Sequence, residues 1–100
     1  MNITINQQDN KTLVTLSGRL DTTNVSQFQK DIEPLLTGDS PDIDIDCTDM
    51  EYTSSQGLRM FLILQKSVGA RKGHLVMRNM KPQVKEVFDI TGFSNIIKIV

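Results

Sequence analysis

Residues 42–68 read DIDIDCTDMEYTSSQGLRMFLILQKSV, and the change of period inside this stretch decides the fold. Over 42–47 apolar and acidic residues alternate. Ile43, Ile45 and Cys47 face one side of a strand, and Asp42, Asp44 and Asp46 face the other. Three carboxylates on one face are costly to bury, so that side of the sheet is predicted to be wet. After Ser55 the period becomes helical. Leu58, Phe61, Leu62, Leu64 and Val68 form a broad stripe, with Met60 and Ile63 outside it, toward Arg59, Lys66 and Ser67. A strand that runs into an amphipathic helix is the first half of a β-α-β unit.

The flanking sequence completes the pattern. Residues 3–6 alternate as a short strand, 8–11 read as a turn and 12–17 as a second strand ended by Gly18, which makes a hairpin. Residues 21–36 return to helical spacing through Val25, Phe28, Ile32, Leu35 and Leu36, with Asp21, Thr22 and Thr23 offering N-cap oxygens. Pro34 removes an N–H and crowds the carbonyl of Lys30, so the regular helix is predicted to kink or stop near Glu33. Residues 37–41 form a loop, 69–73 close the long helix, and 74–78 are a strand. Pro82, Val84, Val87, Phe88 and Gly92 frame a short helix, and 96–100 a last strand. The order β-β-α-β-α-β-α-β predicts an α/β fold in one domain over residues 1–100. An opening hairpin leads into parallel β-α-β units of a mixed sheet, with helices packed mainly on one face.

Composition narrows the function. The chain has 100 residues, 38% hydrophobic and 23% charged, the balance of an ordinary globular domain. Its 11 basic and 12 acidic side chains leave a net charge of −1, which argues against a nucleic-acid footprint. No apolar run reaches the ~20 residues of a membrane span, and the N-terminus has no signal-peptide pattern. The expectation is a cytoplasmic domain without membrane insertion.

Conventional catalysis finds little support. His74 is the only histidine and has no evident partner. Ser54 or Ser55 as nucleophile needs a base within reach, and the G-x-S-x-G elbow is absent. Cys47 falls on an apolar strand face, as a small buried hydrophobe. Asp42-x-Asp44-x-Asp46 superficially matches a calcium loop, but Cys47 and Thr53 stand where its glycine and bidentate glutamate belong. We therefore expect no enzyme, no metal and no cofactor. What remains is the YTSSQGL junction, residues 52–58. A serine there caps the helix, worth about 1 kcal/mol. The same N–H groups and helix dipole favour an added phosphate. Gly57 leaves room for a kinase backbone or nucleotide to approach the hydroxyl. Met60 and Ile63 offer apolar contact to a partner, or pack under the C-terminal segment.

Three blocks in order resemble a known family. They are Gly18-Arg19-Leu20-Asp21, the run from Asp49 through Ser54-Ser55-Gln56-Gly57-Leu58, and the run from Lys81-Pro82 through Val84, Phe88 and Gly92-Phe93. Together they resemble the STAS domain of bacterial anti-sigma factor antagonists. The resemblance implies a phosphoprotein of transcription regulation that works by partner switching. Unmodified, such a domain binds an anti-sigma factor that is also a serine kinase. Phosphorylation separates the pair, and a serine phosphatase resets the cycle. The family's phosphorylated serine, two residues before the glycine, corresponds to Ser55. Ser54 stands where an aspartate is usual and is the second choice. The implied partner face comprises Asp21, Ser54, Ser55, Gln56, Gly57, Arg59, Met60 and Ile63, on a domain expected to be monomeric when free. The family commonly continues into another C-terminal helix, where this sequence stops at Val100, so part of the usual packing surface is expected to be absent. The alternative is a STAS scaffold subunit of a lipid-transport or stress-signalling complex whose serine is never modified.

Overall fold

In the computed structural model, which describes residues 1–38 and 41–100, the strands are β1 (Asn2–Gln8), β2 (Lys11–Leu20), β3 (Asp42–Thr53), β4 (His74–Arg78) and β5 (Lys98–Ile99). The helices are α1 (Val25–Asp31), α2 (Ser55–Ala70) and α3 (Pro82–Ile90). Five strands form one sheet in the order β1-β2-β3-β4-β5. β1 runs antiparallel to β2, and each later neighbour pair is parallel. Each parallel step moves one place in the same direction, so right-handed crossovers put all three helices on one face. This is the predicted α/β architecture.

The inward rows explain why these segments are strands. Ile5 pairs with Val14, Val14 with Ile45, and Ile45 with Met77, so one row of apolar side chains crosses four strands. Helices cover that row. Phe28 of α1, Phe61 of α2 and Phe88 of α3 meet in sequence, with ring centroids 5.6 Å and 6.0 Å apart. Offset and edge contacts of this kind add to the burial of each ring. Phe61 is fully buried between the other two and ties the three crossovers together.

The opposite face is polar, as the alternating aspartates require. Asp44 lies 2.7 Å from the Arg78 guanidinium and 3.6 Å from Lys11 Nζ. Asp46 accepts from the Thr48 hydroxyl at 2.6 Å and its amide at 3.0 Å, which holds the carboxyl below its usual range. Cys47, one residue on, is completely buried. Burial first, and the Asp46 charge second, push its thiol up to about 12, so it packs as a hydrophobe.

Several boundaries differ from expectation for identifiable reasons. Gly18 does not end β2, because it takes a φ of +96° and lets the strand continue to Leu20. α1 stops at Asp31, near the predicted place, and Pro34 opens a 3-10 segment (Glu33–Leu36), where its missing N–H leaves no bond unmade. Asp21, Thr22 and Thr23 do not cap α1. Its N-cap is Asn24, whose side chain instead accepts from the Asp21 amide and donates to the Arg19 carbonyl. Residues 39 and 40 of the expected loop lie outside the described residues. The last strand is two residues long, because Phe93–Asn95 forms a 3-10 turn first.

Phe61→Ala removes the ring shared by all three helices. We expect it to cost about 3–5 kcal/mol in urea unfolding, the range for a large aromatic cut from a packed core.

Candidate functional site

The site is built where β2 and β3 end. Up to Thr15 and Asp46 the two strands advance in step. Between Thr15 and Ser17 β2 moves two residues while β3 moves three, from Asp46 to Asp49. Between Gly18 and Arg19 β2 moves one while β3 moves two, from Met50 to Tyr52. Each irregularity gives β3 an extra residue, as a β-bulge does. The buried positions of β3 therefore change from every second residue, through Cys47, to every third, at Met50 and Thr53. The bulges keep Met50 opposite Gly18 and Thr53 opposite Leu20, so the strand stays paired to its end.

That pairing fixes the turn into α2. The Ser54 amide donates to the Leu20 carbonyl at 2.8 Å, and the buried Thr53 hydroxyl donates to the Ser54 carbonyl at 3.1 Å. Ser54 is the N-cap of α2, its Oγ accepting from the Gly57 amide at 3.3 Å. Gly57 faces inward. A Cβ on it would stand 2.8 Å from Leu20 Cδ2 and in collision with the Thr53 hydroxyl. The expectation that Gly57 opens the hydroxyl to a kinase is corrected: it is buried, and its missing side chain lets α2 close on β2.

The same contact rotates the helix. Gly57, Met60, Phe61, Leu64 and Val68 point inward, while Leu62 is only half-buried. Met60 is 8% exposed and belongs to the core, so its assignment to the partner face is overturned. Ser55, Gln56 and Arg59 are exposed, and Ile63 is 41% exposed. Spaced by four, Ser55, Arg59 and Ile63 form one outward stripe along α2. The two serines thus have different tasks. Ser54 is half-buried and spends its hydroxyl on the cap. The Ser55 hydroxyl makes no hydrogen bond among the described residues and faces solvent.

Asp21 follows directly on Leu20, whose carbonyl binds Ser54. Its carboxylate accepts from the Thr23 hydroxyl at 2.5 Å and the Thr23 amide at 3.0 Å. Those bonds, with a smaller contribution from Arg19, hold the group below the usual carboxylate range. Asp49 and Glu51 are exposed on the bulged strand. The Arg19 guanidinium lies 4.3 Å above the Tyr52 ring, a cation–π pair that the sequence did not suggest. Only the bulged register makes those two residues neighbours.

The structure does not bring His74 and the two serines together. His74 pairs with Asp42 at the start of β3, whereas Ser54 follows its end, on the order of 30 Å of strand away. Among the described residues no group of three or more His, Cys, Asp and Glu side chains could hold a metal ion. No helix among them is long and apolar enough to cross a membrane.

Three substitutions separate structural from exposed roles. Gly57→Ala, which favours a free helix by roughly 0.5–1 kcal/mol, is expected to destabilise this domain by about 2 kcal/mol or more. Ser54→Ala is expected to cost about 1 kcal/mol, and Ser55→Ala to stay within about 0.5 kcal/mol of the parent. Urea unfolding of the three variants measures all of these.

The STAS domain family model matches residues 2–100. The anti-sigma-B factor antagonist of Bacillus subtilis is 29% identical over 99 residues, covering 99% of this chain and 90% of that protein. Among solved structures, an anti-sigma-factor antagonist (STAS) domain protein from Planctomyces limnophilus superposes with a TM-score of 0.87 at 18% identity, covering 97% of this chain and 87% of that one. The anti-sigma factor antagonist SpoIIAA in its unphosphorylated form gives 0.80 at 20% identity, over 99% of this chain and 88% of that one. Its phosphorylated form gives 0.71 at 18% identity, over 99% and 91%. Matched by the family model over nearly its whole length, the chain belongs to the STAS domain family.

Proposed function

We propose that this chain is an anti-sigma factor antagonist switched by phosphorylation of Ser55. In the unmodified state it binds an anti-sigma factor with serine kinase activity and so frees the sigma factor. The observation that carries this is the division of labour at the junction. Ser54 is consumed by the helix cap, and Ser55 presents an unbonded hydroxyl at the first position of a 16-residue helix. The names of the relatives supply the partner class.

The chemistry is transfer of the γ-phosphoryl group of ATP to Ser55 Oγ. The bond from phosphorus to the leaving ADP oxygen breaks, the Oγ–P bond forms, and the hydroxyl proton goes to a base of the kinase. This chain contributes the acceptor and no catalytic group. A serine phosphatase reverses the modification by hydrolysis, returning the hydroxyl and inorganic phosphate.

The partner contact is the exposed stripe Ser55, Arg59 and Ile63, with Gln56 beside it and Asp21 on the neighbouring loop. Ile63 supplies apolar area at its distal end. A phosphate adds close to two negative charges to this stripe, beside the loop that holds Asp21. Charge of one sign buried at an interface centre costs repulsion and desolvation together. A loss of ~3 kcal/mol weakens affinity more than a hundredfold. The fold need not change, because the hydroxyl is outside the core and its neighbour Ser54 keeps the cap.

The test takes the anti-sigma kinase as partner, in a titration without nucleotide. We expect Ser55→Ala to bind like the parent, Ser55→Asp to bind at least tenfold more weakly, and the phosphorylated protein more than a hundredfold more weakly. Mass spectrometry after incubation with the kinase and ATP is expected to find one phosphate, on Ser55. Phosphate on Ser54, or equal affinity of the bare and phosphorylated forms, contradicts the proposal.

A further inference from the structure

The regulation of Ser55 involves a second residue of the same helix, an inference that rests on the phosphorylation proposed above. We propose that Arg59 is the intramolecular counter-ion of phosphorylated Ser55. Modification then withdraws a positive charge from the docking stripe while it adds negative charge there.

The geometry is that of a regular helix. Ser55 and Arg59 lie four residues apart within α2, which runs unbroken from Ser55 to Ala70. Residues at this spacing stack on one face, one turn or about 6 Å apart along the axis. Helical side chains lean toward the N-terminus, so a long side chain at 59 covers the turn that contains position 55. Ser55 in turn sits where the free amides and the helix dipole add to the attraction of an anion.

Availability separates Arg59 from the other cations. Among the described residues Arg59 is exposed and forms neither an ion pair nor a hydrogen bond. Arg71 is committed, donating to the carbonyls of Leu35 and Thr37 at 2.6 Å each. Arg78 is paired with Asp44 on the open face of the sheet. Arg19 lies on the Tyr52 ring, near the end of β2 rather than on α2. Lys66 is 11 positions from Ser55 along α2.

The consequence for binding is specific. A guanidinium can hold two phosphate oxygens at once, and such charge-assisted pairs are stronger than neutral hydrogen bonds. An Arg59 free to meet an acidic or carbonyl group of the partner in the unmodified state is folded back over its own serine in the modified one. Phosphorylation thus changes two adjacent positions of the stripe with one covalent event.

The experiment needs no partner and no kinase. Phosphoserine is installed at position 55 during translation, and the phosphorus resonance is titrated by NMR in the parent, Arg59→Gln, Arg59→Lys and Arg19→Gln backgrounds. The second phosphate ionisation ordinarily falls near pH 6. A cation beside the dianion lowers it, so Arg59→Gln is expected to raise it by roughly 0.3 of a pH unit or more. Arg59→Lys is expected to keep most of the lowering, and Arg19→Gln to leave it unchanged. An Arg59→Gln titration that superposes on the parent, or a larger rise in Arg19→Gln, overturns the proposal. Because the readout is internal to the chain, it stands or falls separately from partner release.

Discussion

Helix α2 approaches strand β2 so closely at Gly57 that no side chain fits between them. Almost everything at the functional end of the molecule follows from this contact. The Gly57 amide is held where Ser54 Oγ can cap it, and the Ser54 amide is held against the Leu20 carbonyl. With one serine locked into the turn, the next is forced outward at the first helical position. The rotation that buries Gly57 also buries Met60 and presents Arg59 and Ile63 beside Ser55. One missing methyl group thereby sets which hydroxyl is offered and what surrounds it.

Two features let the strands deliver that contact. The bulges in β3 insert residues without breaking the pairing with β2, so Thr53 still reaches Leu20 at the far end. The positive φ of Gly18 lets β2 continue to meet it. Behind them the Phe28–Phe61–Phe88 contacts hold the helices as one layer. The opposite sheet face, with its Asp44–Arg78 pair, lies away from the serine. A phosphate on Ser55 then acts beside a turn whose Ser54 and Gly57 amides are already bonded. That favours a switch made of charge over one made of refolding.

Much of this was legible in the sequence, and the exceptions share a cause. The strand at 42–47 and the long helix were plain because their apolar residues repeat at 2 and at 3.6. The kink at Pro34 and the glycine after α3 follow from backbone chemistry alone. The rest of β3 was hidden, because its bulges space Cys47, Met50 and Thr53 by three, which matches neither simple period. The face of α2 was misjudged in part because Gly57 contributes nothing to an apolar stripe and yet marks its centre. Met60 therefore looked like surface, and Gly57 like an opening for a partner. The pairing of Arg19 with Tyr52 depends on the bulged register and had no signal in either residue's neighbours. The choice between Ser54 and Ser55 is open at the level of residue types, and the proposal of Ser55 rests on which hydroxyl is already bonded.

The central claim is that the turn into α2 is a fixed mount, unchanged when the exposed hydroxyl acquires a phosphate. Amide hydrogen exchange of Ser54 and Gly57, compared between the bare protein and the form carrying phosphoserine at 55, tests it most directly. The account predicts that both amides stay protected to a similar degree in the two forms, because their acceptors, the Leu20 carbonyl and the Ser54 hydroxyl, are untouched. Loss of protection at either amide on phosphorylation would show that the modification unseats the helix, and would contradict it.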